Sequence, residues 1–250
     1  MNKFIERLIF SLGIFLNRIF FINSDQLSSR FLALNFQIPI DSCLVYKNSE
    51  IKNKFFCLQI CLMDTQCDYA KYEKKECSLY AKQGNINTNL LSEKIIYQKA
   101  IENELIGECS GSTAYWSLSK NSCLPCKTGF FKNSELPNFC YHKQPGPKDF
   151  DESKAYCESK GAFLFRPKTQ KEREFFVNTF SNSRVFVDSR ITRIGEIYKW
   201  PDGSYVCGFD NNQPDNLLNL SENVVEIVSH GKFNNIPSSH QNELTICQHD

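Results

Sequence analysis

The sequence predicts two small α+β units in series, held by disulfides, and three observations lead there. Its 250 residues suit two modest domains better than one large core. Its twelve cysteines fall in short-range groups. In each half, helical signals precede short strand-like runs, the order of an α+β domain with a small antiparallel sheet.

The cysteines are Cys43 alone, then Cys57, Cys61, Cys67 and Cys77, then Cys109, Cys123, Cys126 and Cys140, and finally Cys157, Cys207 and Cys247. An even count at tight spacing reads as a disulfide framework built in an oxidising compartment. Zinc is the competing reading, because Cys123-Leu124-Pro125-Cys126 is a CxxC. No second CxxC follows at ribbon distance, and Cys140 and His142 stand too close together to complete a finger. Charged residues make up 23% and apolar residues 41%, with a net charge of +1. The lysines are scattered along the chain. No long-range field would gather nucleic acid.

The first residues read as an export signal. Lys3 and Arg7 are basic, Leu8 to Leu16 is apolar, Asn17 and Arg18 interrupt, and Ile19 to Ile22 resumes. The unbroken run is too short to cross a bilayer and suits a signal peptide of residues 1–24, cleaved after Ser24. Arg18 leaves a weak anchor as the alternative. Secretion to the extracellular space is the expected location, with no membrane span in the mature protein.

Residues 25–40 read as a lead-in, and the first unit starts near Asp41. Asn53 caps a helix from Lys54 to about Met63, which brings Cys57 and Cys61, at i and i+4, to one face. Phe56, Ile60 and Met63 form a neighbouring apolar stripe. Cys67, Tyr69 to Tyr72 and Cys77 to Tyr80 alternate like strands, and Ile95-Ile96-Tyr97 closes the unit. With its cysteines, the segment from Cys57 to Tyr80 resembles the PAN/apple family over residues 43–101, giving a PAN/apple-like module at 41–101. The resemblance implies Cys57 with Cys77, Cys61 with Cys67, and a role in adhesion or recognition. Residues 102–125 read as a connector. There Cys109 pairs with Cys123, or else Cys43 pairs with Cys109 and Cys123 with Cys207; spacing does not choose between these.

In the last part, Phe150 to Ser159 reads as a helix stopped at Gly161, and Thr169 with Glu172 as a capping box opening a second helix. Val185 to Val187, Tyr198 to Trp200, Val224 to Ile227 and Leu244 to Ile246 follow as strands. Several motifs occur in order: Ala155-Tyr156-Cys157 with Gly161, Tyr198-Lys199-Trp200 with Asp202-Gly203-Ser204, Gln213-Pro214-Asp215-Asn216, Glu222 with Val225-Glu226-Ile227, Gly231 to Asn235, and Ile246-Cys247. Together they resemble the C-type lectin family over residues 126–250. The resemblance implies a C-type-lectin-like fold of two helices, small antiparallel sheets and a long loop region, with Cys126 paired to Cys140 and Cys157 to Cys247. The family's inner disulfide would need cysteines where Val224 and Ser238 stand. Both are absent together, which leaves the loop less constrained.

The resemblance also implies a calcium and carbohydrate site at Gln213, Asp215, Glu222, Asn234 and Asn235, all oxygen-bearing as a hard cation requires. Asn235 replaces an aspartate, so two carboxylates remain where three are usual. That predicts a dissociation constant of about 10⁻⁴–10⁻³ M or weaker. The Gln-Pro-Asp order is that of galactose-type members, yet Asn216 to Leu220 offers no tryptophan to stack on a sugar. Asn219-Leu220-Ser221 is a glycosylation acceptor at Asn219, where a glycan would crowd the site. Metal-free recognition of a protein, through either unit, is the alternative, as is a structural or matrix component. No catalysis is expected. His142, His230, His240 and His249 form no HExxH, no GxSxG or phosphate loop occurs, and Glu172 with Glu174 reads as a solvated helix face.

Overall fold

The computed structural model describes residues 30–36, 43–64, 66–82, 91–100, 109, 111, 113–117, 120, 122–134, 136–216 and 221–249. The expected leader at 1–24, the acceptor Asn219 and its neighbours Leu217, Leu218 and Leu220 lie outside them. Among the described residues, no helix is long and apolar enough to cross a membrane.

Strands β1 (Phe31–Phe36), β2 (Cys43–Asn48), β3 (Tyr69–Glu73), β4 (Glu76–Ala81) and β5 (Leu91–Lys99) form an antiparallel sheet in the order β1-β5-β3-β4-β2. β1 corrects the expected lead-in: the sheet begins before Asp41, with Phe31 opposite Lys99. Helix α1 (Lys54–Met63) starts where Asn53 Oδ1 accepts the Phe56 N–H at 3.0 Å. It lays Cys57, Leu58 and Cys61 on the sheet, and Cys57 is bonded to Cys77 and Cys61 to Cys67. At its C-terminal end, the Lys99 ammonium donates to the carbonyls of Cys61 (3.3 Å) and Asp64 (3.1 Å), where a helix dipole favours a cation. Burial drives the Lys99 ammonium below its usual range and the Asp64 and Asp68 carboxyls above theirs. Phe55 and Phe56 point outward at 41% and 48% exposure, so the expected apolar stripe is only partly covered.

A hairpin of β6 (Ala114–Ser117) and β7 (Ser122–Pro125) is closed by Cys109–Cys123. The remaining chain builds two sheets. β8 (Phe131–Asn133), β9 (Leu136–Lys148), β10 (Phe163–Leu164) and β14 (Asn242–His249) pair in the order β10-β14-β9-β8, and β11 (Val185–Arg190), β12 (Glu222–Ile227) and β13 (Phe233–Pro237) pair in sequence. Helices α2 (Phe150–Ser159) and α3 (Gln170–Thr179) both open with reciprocal capping boxes, Asp149 with Glu152 and Thr169 with Glu172. The core between sheets and helices includes Tyr141, Phe165, Phe176, Trp200, Ile227 and Phe233. Cys126–Cys140 and Cys157–Cys247 lie together in a second apolar cluster with Phe150, Leu164 and Phe186.

Two further expectations change. Glu172 is not on a solvated face: it is 5% exposed, and its Oε2 accepts the Thr169 N–H and hydroxyl at 2.7 and 2.9 Å. Burial raises its carboxyl pKa. Tyr198 to Trp200 is not a strand of a sheet; only Lys199 bridges, to Tyr205, while Tyr198 and Trp200 fill the core.

The two units meet along the segment 202–207. Cys43 is bonded to Cys207, so neither pairing that would join Cys43 to Cys109 and Cys123 to Cys207 occurs. The Tyr205 N–H donates to the Val45 carbonyl at 3.2 Å, and Gln66 Nε2 donates to Ser204 Oγ at 3.2 Å. No described cysteine is free. Peptide mapping without reductant should recover the six pairs. Replacing Cys43 and Cys207 together by Ser should lower unfolding free energy by about 2–4 kcal/mol in guanidinium titrations. Unchanged stability would mean that the staple carries none of the docking.

Candidate functional site: the loop before β12

The chain leaves the core at Phe209, turns through Asp210 to Asn216 and returns at Glu222. The Gln213 N–H donates to the Asp210 carbonyl at 3.0 Å, and the Gln213–Pro214 peptide is cis. Opposite this loop, β13 presents Asn234 and Asn235. Successive strand residues face opposite ways, so they cannot serve the same point equally.

Asn235 faces the loop and is fully buried. Its Oδ1 accepts the Asp215 N–H at 3.2 Å, and its Nδ2 donates to Asn216 Oδ1 and Glu222 Oε2, both at 3.1 Å. A backbone N–H only donates and a carboxylate only accepts, so these partners fix the orientation of the amide. Nearby, the Tyr198 hydroxyl donates to the Glu222 carbonyl at 2.8 Å; burial pushes its pKa up to about 12. Asn234 faces the other way. Its Nδ2 donates to Glu226 Oε1 at 3.2 Å, and Glu226, fully buried, also accepts from Arg184 Nη1 at 3.0 Å and Asn242 Nδ2 at 3.4 Å. The sequence reading took Glu226 only as a strand residue. The available signal was a carboxylate in the otherwise apolar run Val224-Val225-Glu226-Ile227.

Of the five expected ligands, Asp215, Glu222 and Asn235 are thus joined, Gln213 lies on the same loop, and Asn234 belongs to a separate polar cluster. Calcium takes 6–8 oxygen ligands. Here an amide N–H points at the oxygens of Glu222 and Asn216, and the oxygen of the same amide is held by a backbone N–H. As arranged, these residues do not fit the ion. Among the described residues, no three His, Cys, Asp or Glu side chains converge on a point. One polar atom stays unspent: Gln213 Oε1 is buried with no hydrogen-bond partner. A cleft of about 380 Å³ lies elsewhere, between α3 and residues 230–232, but the Arg173 guanidinium within it donates to the Lys168 and Cys207 carbonyls.

The inner-disulfide positions show what replaced the bond. Val224 lies opposite Ile236 in the β12–β13 ladder and both are buried, while the Ser238 N–H donates to Asn223 Oδ1 at 3.0 Å. The loop is therefore pinned at its base by an apolar pair.

Asn235→Asp should exchange two donated hydrogen bonds for a carboxylate facing Glu222. In chelator at pH 7 the variant should lose about 2–4 kcal/mol of stability, and millimolar calcium should restore part of it. Wild-type thermal unfolding should be the same with chelator and with calcium. A wild-type shift with calcium would show that the amide network gives way to the ion.

Residues 146–249 match the family model described as Lectin C-type domain. The curated proteins contain no match to the chain. Similar solved structures include the cow C-type carbohydrate-recognition domain of CD23 in the presence of a GlcNAc2Man3 oligosaccharide, 18% identical over 51% of this chain and 97% of that one, TM-score 0.45. The mouse scavenger receptor C-type lectin carbohydrate-recognition domain is 22% identical over 50% and 96%, TM-score 0.44. A calcium-independent type II antifreeze protein is 16% identical over 50% and 93%, TM-score 0.43. By the family-model match, with its helices, antiparallel sheets and disulfides in place, the C-terminal part of this chain has the fold of a C-type lectin domain.

Proposed function

We propose that this chain is a secreted recognition protein that binds a carbohydrate or glycoprotein at the rim framed by Gln213, Asp215 and Glu222, without a firmly held calcium ion. The Asn235 amide carries this reading. It holds Asp215, Asn216 and Glu222 together by three hydrogen bonds, so the loop keeps its shape with no cation to order it. Gln213 Oε1 supplies an unsatisfied acceptor beside them, suited to a ligand hydroxyl or amide after a small side-chain movement. Full pairing of the described cysteines supports an oxidising, extracellular setting.

A second reading has its own observation. The nested pairs Cys57–Cys77 and Cys61–Cys67 between a helix and a sheet support a PAN/apple-like first module. Its outward Phe55 and Phe56 would supply protein contacts for adhesion or matrix assembly.

The full chain, applied to immobilised glycans and glycoproteins, should bind equally with and without chelator. Gln213→Ala should weaken that binding about tenfold, the value of one well-placed hydrogen bond. Loss of binding in chelator would restore the metal-dependent reading, and full binding by Gln213→Ala would move the contact away from this loop.

A further inference from the structure

A second face of the C-terminal domain gathers positive charge around one aromatic ring. Tyr156, half-buried on α2, has the ammonium groups of Lys148 and Lys160 each 5.5 Å from its ring centroid. Lys127 reaches the same end of the helix, donating to the Gly161 carbonyl. None of these three lysines makes an ion pair among the described residues, in contrast to Lys154, whose ammonium meets Asp188. Of the acids on α2 and its cap, Asp149 and Glu152 are engaged with each other in the capping box and Asp151 with Arg190, while Glu158 is exposed two residues before Lys160.

Beneath the ring a hydrogen-bond chain fixes the tyrosine in place. His142 Nδ1 is 2.7 Å from the Gly129 carbonyl and its Nε2 is 2.9 Å from the Tyr156 hydroxyl, which in turn is 2.8 Å from Gln144 Oε1. Gln144 Nε2 donates to the Pro145 carbonyl. Phe130 packs between the imidazoles of His142 and His249.

We propose that this face, Tyr156 with Lys127, His142, Lys148 and Lys160, binds a sulfated polysaccharide chain. This rests on the reading of the protein as a carbohydrate-recognition protein, and it adds a second, anionic class of ligand away from the loop of Gln213. Sulfate groups meet unpaired ammoniums, and the flat tyrosine ring with its hydroxyl and the Gln144 amide faces the sugar between them. An acidic peptide would satisfy the charges alone. Because the net charge of the whole chain is only +1, bulk charge does not account for retention on a polyanion.

The test uses the full chain on heparin-agarose, with a sulfonate cation exchanger in parallel. Wild type should elute from heparin at higher salt than from the sulfonate resin. Lys148→Gln with Lys160→Gln should weaken heparin binding about tenfold, bring the two elution points together, and leave thermal unfolding unchanged. Wild-type elution at the same salt from both resins, unaltered heparin binding by the double-lysine variant, or equal competition by poly-glutamate at matched charge would each overturn the proposal. The double-lysine variant on the unsulfated glycans used for Gln213→Ala separates the two sites. Normal binding there with unchanged heparin retention would sink only this inference, whereas absent wild-type binding to every saccharide would sink both.

Discussion

The Cys43–Cys207 bond links an edge strand of the first sheet to a turn of the second unit, across 164 residues of chain. Each unit has a modest core, and small cores leave little margin over the entropy of ordering the chain. Cross-linking them here places Cys207 inside the apolar cluster of the first unit, where it packs with Val45, Cys57 and Leu79. It also aligns the Val45 carbonyl with the Tyr205 N–H and sets Gln66 against Ser204. The segment 202–207 that this fixes runs directly into Phe209 and the loop beyond it. The position of the loop thus depends on a contact made by the other unit.

The loop itself illustrates how one atom type changes a site. A carboxylate at position 235 would repel Glu222 unless a cation stood between them, whereas an amide attracts it. The amide supplies the attraction from within the covalent chain, holding Asp215, Asn216 and Glu222 by three hydrogen bonds with no cation between them. The same economy recurs at Glu226, whose buried charge is answered by Arg184 and by two asparagine amides. Two buried carboxylates on one strand, each held by amides, make this sheet polar at its heart yet fully partnered there.

Local features were legible in the sequence, and long-range ones were not. Asn53, Thr169 and Glu172 announce helix starts because a cap depends on residues three apart. The Gln-Pro-Asp segment and Glu222 pointed to the correct loop. The partner of Cys43 stayed hidden because pairing across 164 residues is set by docking, which no spacing encodes. Strand β1 was read as a lead-in because its partner, β5, begins more than fifty residues later. Asn235 could be read by type but not by role, since an amide donates or accepts according to neighbours that only folding assembles. The lysines near Tyr156 are scattered in sequence, and only the docking of α2 beside β9 brings Lys148 and Lys160 to one ring, with Lys127 at the Gly161 end of the helix.

The Val224–Ile236 pair has a consequence for how the protein is made. A cross-link at this place would have waited for an oxidase and entered the lottery of thiol partners, and each added pair of cysteines multiplies the wrong matches available to a nascent chain. Two apolar side chains facing each other across a ladder need no catalyst and cannot be mispaired covalently. The base of the loop therefore closes as soon as β12 meets β13, whatever the redox condition.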